Sequence, residues 1–227
     1  MSLDQPVSRR LLSAEVFHRL RDSIVRGELA AGEKVKDSDL ADRLGLSRTP
    51  VREALTRLVD CGLVEAKPGV YTRVTTLNRR DVDKTLAVLR TLDRLAVETA
   101  VPLMTERHLE WMRAANQDFE RAVTANDTGA ALEADDRFHA VVVTAADNPV
   151  LSRIIEQLHP QIHRILYRKF STLLGGRNTI EHHDQLITVC ATGDAGAAAA
   201  LSAQHWSELG GHINRLFDDN QFTETAN

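Results

Sequence analysis

Asp135 and His139 stand four residues apart in EADDRFHAVV, so a helix through that segment would place a carboxylate and an imidazole side by side on one face. EHHDQLITV adds His182 and His183, and SAQHW adds His205. A carboxylate with several neutral imidazoles is a suitable donor set for Zn²⁺, Ni²⁺ or another first-row divalent ion. The same residues serve equally well as solvated surface groups or as a hydrogen-bonded core cluster, and spacing leaves both open. His159 and His163 form a second i,i+4 pair with no obvious acidic partner, and His108, among charged neighbours, reads as solvated.

A second group could act on polyanions. In LADRLGLSRTPVREALTRLVDCGLV, Arg48 and Arg52 lie four apart, opposite the apolar positions Val51, Leu55 and Leu58. Guanidiniums near a helix N-terminus suit a phosphate or the bidentate edge of guanine. Thr49 could add a phosphate or thymine-methyl contact. The alternative is that both arginines are solvated and pair with Glu53 or other carboxylates.

The elements that would position these groups divide the chain in two. Val16, Phe17, Leu20, Ile24 and Val25 recur at helical spacing before the breaks at Gly27 and Gly32. Asp37 reads as the N-cap of a short helix through Leu44, Gly45 as the turn after it, and Ser47 as the cap of a third helix that tolerates Pro50 in its first turn. LVEAKPGVYTRVTTL then sets β-branched residues on both sides of Pro68-Gly69, the pattern of a hairpin or wing. Helix, turn, helix and wing make a winged helix-turn-helix over residues 9–76. From 79 to 217 the apolar period is helical throughout. Six helices are expected there as an all-α bundle: one marked by Val82, Leu86, Leu89, Leu92 and Leu95 that ends before Pro102, one marked by Leu109, Met112, Phe119 and Val123 that stops near NDTG, and four near 130–146, 149–173, 179–192 and 194–217, with a frayed tail at 218–227. Asn148 reads as a cap, and the two tryptophans as core or rim packing.

Composition agrees with two folded domains of mainly α class. Of 227 residues, 43% are hydrophobic and 26% charged, too balanced for a disordered or fibrous chain. No apolar run reaches the ~18 residues a membrane span needs, and the first residues lack the apolar core of a secretory signal, so a cytoplasmic protein without membrane partners is expected. Cys61 and Cys190 each lie in a helical pattern and read as buried reduced thiols. Residues 1–75 hold 13 Lys and Arg against 11 Asp and Glu, a balance of +2, whereas 76–227 hold 15 against 21, a balance of −6. A surface for nucleic acid must therefore be local.

SRTPVREAL after LADRLGL, with GLV following, resembles the DNA-binding domain of the GntR family of bacterial transcriptional regulators, from about Phe17 to Val74. The resemblance implies operator contacts by Ser47, Arg48, Thr49 and Arg52 and a minor-groove approach by Gly69. Two positions depart from the family pattern. Ala31 replaces the usual proline before glycine, and Pro68 replaces a common wing arginine, whose contact would fall to Lys67 or Arg73. Further along, DDRFH, NPVL, a histidine eleven residues before the GD turn and another twelve after its glycine resemble the FCD effector domain of the FadR-like branch. That likeness implies a divalent transition metal, Zn or Ni, on Asp135, His139, His183 and His205, with open positions for water or a carboxylate. It also implies an effector-facing Arg90.

The function so implied is a DNA-binding repressor, a homodimer on double-stranded operator DNA, released by a small organic acid bound at the metal. Two alternatives fit the residues less well. An acyl-chain sensor sits poorly with a polar metal centre in the bundle, and a metal-dependent hydrolase lacks a general base and leaves the winged domain without a purpose. The chain is therefore read as non-enzymatic.

Overall fold

The computed structural model describes residues 9–173 and 177–219. Its contacts separate two compact units that meet in sequence between Asn78 and Arg79. Each has an apolar core of its own.

In the first unit, α1 (Arg9–Arg26), α2 (Asp37–Leu44) and α3 (Arg48–Asp60) precede a hairpin of β1 (Val64–Lys67) and β2 (Tyr71–Val74). Val16, Leu20 and Ile24 of α1 pack with Leu40 of α2 and Val51, Ala54 and Leu58 of α3, each at most 4% exposed. Burying such a stripe supplies the free energy that helices this short lack alone. Gly45 ends α2 in the left-handed region, φ 66°, and its N–H reaches back to carbonyls of α2. Ser47 takes the N-cap position of α3 with extended backbone, although its side chain makes no capping bond.

The structure departs from two local expectations. Asp37 is the first residue of α2 and not its cap; Lys36 holds the cap position without a side-chain bond. The segment before α2 is also more than a turn. Gly32 N–H donates to Val74, Val74 N–H to Glu33 and Val35 N–H to Thr72, so a third extended stretch lies along β2. Within the hairpin Val64 faces Val74 and Glu65 faces Arg73. Gly69 turns it with φ 72°.

The second unit contains α4 (Arg79–Ala100), a 3₁₀ turn (Val101–Leu103), α5 (Glu106–Thr124), α6 (Thr128–Ala145), α7 (Pro149–Arg168), α8 (Phe170–Leu173), α9 (Arg177–Thr192) and α10 (Ala195–Asp218). The caps follow the chain's polar punctuation. Asn148 accepts from the N–H groups of Val150 and Leu151, Asp194 accepts from that of Ala197, and Gly193 before it adopts φ 76°. His108 is not a solvated bystander: it completes a capping box, its Nδ1 accepting from Thr105 N–H at 3.0 Å. The helix expected from 149 to 173 is broken at Lys169, where φ −123° and ψ 27° leave the helical region. The expected tail, 218–227, falls almost wholly outside the described residues.

Cys61 and Cys190 are buried, one in each unit. No described helix is long and apolar enough to cross a membrane.

Candidate functional site

In the second unit, α5, α6 and α9 bring Asn116, Asp135, His139 and His183 together. Each interrupts or borders an apolar stripe. Asp135 lies between Leu132 and Phe138, and Asn116 between Met112 and Phe119. His183 is completely buried, and Asp135 and Asn116 are 5% and 4% exposed. One donor atom each from Asp135, His139 and His183 falls within 4.8 Å of the others. The His183 Nε2 to Asp135 Oδ1 separation is 3.4 Å, and that of His139 Nε2 to Asp135 is 3.9 Å.

The protonation of His183 follows from its neighbour. The Asn116 amide nitrogen donates to Ile180 C=O at 3.2 Å and to Asp184 at 2.8 Å, so its oxygen must face the ring. That oxygen lies 2.9 Å from His183 Nδ1, which therefore carries the proton and donates it. Nε2 is left with a lone pair, buried and without a hydrogen-bond partner, directed toward a buried carboxylate. Burial drives His183 below the ordinary imidazole range, so a second proton does not resolve the opposition. Phe138 stacks on the ring at 3.9 Å between centroids and holds its plane. An orphaned nitrogen facing a carboxylate is satisfied by a cation between them, and the donor types fit a first-row divalent ion.

His205, expected in the same set, is not among the three. Its ring stacks on His182 at 3.8 Å and 10° between planes. Burial pushes His182 down to about 2 and His205 down to about 4, so both are neutral and can stack face to face without charge repulsion.

A cavity of about 250 Å³ opens beside His139. Its apolar walls include Leu89, Val143, Ile155 and Trp206, and its polar lining includes Asp93, Asp136, Glu156, His159 and Ser152. Arg90 is not among the lining residues. It points to the surface and donates to Ser207 at 3.1 Å, because one step along α4 from Leu89 turns its side chain by about 100°. The expected clamp thus loses its guanidinium. His159 and His163, read as lacking an acidic partner, have one: Asp136 lies 3.7 Å from His159 Nδ1 and 3.4 Å from His163 Nε2. Asn116 and Asp93 were missed by sequence reasoning. Each left a signal, a polar residue on a stripe otherwise filled with Leu, Met, Phe and Ala.

In the first unit Ser47, Arg48, Thr49 and Arg52 are all exposed on α3, while Pro50, Val51, Ala54, Leu55 and Leu58 are buried beneath them. Arg48 and Arg52 both hydrogen-bond Asp37, the former at 2.8 and 3.0 Å. In the wing Gly69 and Lys67 are exposed, whereas Arg73 is engaged by Glu65 across the hairpin and lies over the Tyr71 ring.

Residues 12–74 match the bacterial regulatory proteins of the gntR family, and residues 84–208 match the FCD domain. The chain is a GntR-family transcriptional regulator with an FCD domain. A probable D-xylose utilization operon transcriptional repressor from Paenarthrobacter nicotinovorans is 29% identical over 87% of this chain and 88% of its own length. The transcriptional repressor RspR of Escherichia coli K12 is 22% identical over 95% of this chain and 92% of its own. Among solved structures, E. coli McbR/YncC superimposes with a TM-score of 0.79 at 22% identity, covering 91% of this chain and 98% of that one, which supports the fold. GntR regulators bind operator DNA, and the winged unit is the part of this chain built for it.

Proposed function

We propose that this GntR regulator is a homodimeric repressor whose operator affinity is set by a small organic acid seated beside a metal in the FCD domain. The observation that carries the reading is the buried, partnerless Nε2 of His183 facing Asp135, with His139 alongside. Asp135, His139 and His183 would hold the ion, with His205 as the fourth donor that the family resemblance adds. Such an ion would supply a positive centre for an oxygen-bearing end of a ligand.

The chain's own groups narrow the ligand. Asn116 fixes the ring of His183. Asp93, Asp136 and Glu156 line the adjacent cavity with acceptors and negative charge, and among the described residues no Lys or Arg lines it. A dicarboxylate would meet repulsion there, whereas hydroxyl or ammonium groups would find acceptors. The apolar walls formed by Leu89, Val143 and Ile155 accommodate a short carbon chain. The geometry therefore favours a hydroxy acid or an amino acid. Binding changes operator affinity only if the ligand distinguishes the operator-competent arrangement from the other.

At the DNA, Arg48 and Arg52 contact the major groove, Ser47 and Thr49 the backbone, and Gly69 lets the wing approach the minor groove. The test is elemental analysis of protein purified without chelator or nickel resin, followed by titration of operator complexes with hydroxy, amino and dicarboxylic acids. About one ion per chain and release by one of the first two classes are expected. Protein that stays metal-free in added Zn²⁺ and Ni²⁺ would overturn the metal reading. Release by dicarboxylates alone would overturn the ligand class.

A further inference from the structure

Asp37 occupies an unusual position for a surface carboxylate. It opens α2, yet its oxygens are engaged by two arginines of α3, on the far side of the Gly45 turn. Arg48 Nη2 donates to Oδ1 at 2.8 Å and to Oδ2 at 3.0 Å, and Arg52 Nε donates to Oδ2. The Asp37 side chain is only 18% exposed, while those of Arg48 and Arg52 are 56% and 63% exposed. The carboxylate is thus tucked beneath two guanidiniums that face outward. Its pKa is lowered, first by the bond from Arg48, so it is ionised wherever the protein is folded near neutrality. Exposed ion pairs of this type contribute little to folding. A single carboxylate that fixes both outward arginines of a recognition helix has another use.

We propose that Asp37 is a specificity-determining positioning residue: it holds Arg48 and Arg52 in the forked arrangement that reads base edges and competes with DNA phosphate for them. The proposal rests on the reading that these two arginines contact the operator. An arginine has five N–H donors, and Arg52 gives only Nε to Asp37, which leaves both terminal nitrogens for a guanine edge. Tethering two long side chains in advance removes the ordering cost that each would otherwise meet on binding. The negative charge also opposes transfer of either guanidinium to the nearest phosphate, the contact that carries no sequence information. Loss of Asp37 should consequently strengthen binding to arbitrary DNA and weaken discrimination.

The test uses the full chain, an operator selected by the wild-type protein from a random duplex pool, and a scrambled duplex of equal length. Affinities for both are measured across a salt series for wild type, Asp37→Asn, Asp39→Asn and Arg52→Ala. Asp39→Asn removes the same charge from the same helix at a carboxylate bonded only to its neighbour Ser38 among the contacts described. For Asp37→Asn, the ratio of operator to scrambled affinity should fall on the order of tenfold, and the salt dependence on scrambled DNA should steepen by about one ion. Asp39→Asn should leave the ratio at the wild-type value. A ratio unchanged in Asp37→Asn, or lowered equally in Asp39→Asn, overturns the proposal while a weakened Arg52→Ala keeps the arginine assignment. If Arg52→Ala binds both duplexes like wild type, the arginine assignment falls and the role of Asp37 falls with it. A thermal melt of each variant checks that the winged unit is folded, and Asp37→Glu, which keeps the charge and reach, should recover most of the ratio.

Discussion

At the scale of single residues, the side chain that decides the chemistry of the proposed metal centre is one that would never touch the ion. Asn116 sets which nitrogen of His183 carries the proton, and it can do so because its own amide is fixed by Ile180 and Asp184. Asn116→Leu should therefore lower metal affinity by about 10- to 100-fold, measured by competition with a chelating dye, while a folded bundle is retained. His183→Ala should abolish stoichiometric metal, whereas His182→Ala should not, since His182 faces His205 and not the Asp135 group. Equal losses in both would place the donor set elsewhere. Arg52→Ala should weaken operator binding, with about 1 to 3 kcal/mol lost in discrimination at the base it reads. Asp135 and His139 were legible as a pair because a helix makes i and i+4 neighbours by geometry alone. The partnership of Asp136 with His159 and His163 was not, because it depends on which face α7 presents to α6.

At the scale of elements, the turn between α2 and α3 is the feature most exposed to a single substitution. Gly45 has φ 66° and nothing within 4 Å of where a Cβ would sit, so a side chain there meets backbone strain and no clash. Gly45→Ala should destabilise the winged unit by about 1 to 2 kcal/mol, read from chemical denaturation, and no more. A larger loss would point to packing that the turn does not show. Helices were the most legible part of the chain, since Val16, Leu20 and Ile24, or Leu109, Met112 and Phe119, announce their faces through spacing. Their ends were legible where one residue can supply the missing partner, as at Asn148 and Asp194. They were less so at Asp37, whose carboxylate is drawn away from capping by Arg48 and Arg52 eleven and fifteen residues later. The break at Lys169 has no Gly or Pro to mark it, and the strand-like stretch at 32–35 owes its form to β2 and not to its own composition.

At the scale of the whole molecule, the buried imidazoles make stability depend on acidity. Burial brings His159 down to about 4 and His205 down to about 4, while an unfolded chain binds those protons near the usual 6.5. Between about pH 6.5 and 4 the unfolded form takes up protons that the folded form refuses, so stability falls as pH is lowered through that window. Thermal melts of chelator-treated protein should show Tm dropping over that range, and His159→Gln should flatten the drop. An unaltered slope would mean that other groups govern acid unfolding. Sedimentation should give twice the chain mass if the protein is the homodimer proposed. A final consequence follows from the two separate cores that meet in sequence at Asn78. Heating should produce two heat-absorption peaks in a calorimeter, one per core, and a single Tm would then misdescribe the molecule. If the helical unit binds Zn²⁺ as proposed, the ion should raise the peak of that unit directly; any rise it causes in the other peak would be conversation between the two, and a thermogram would read its strength without any DNA in the cell.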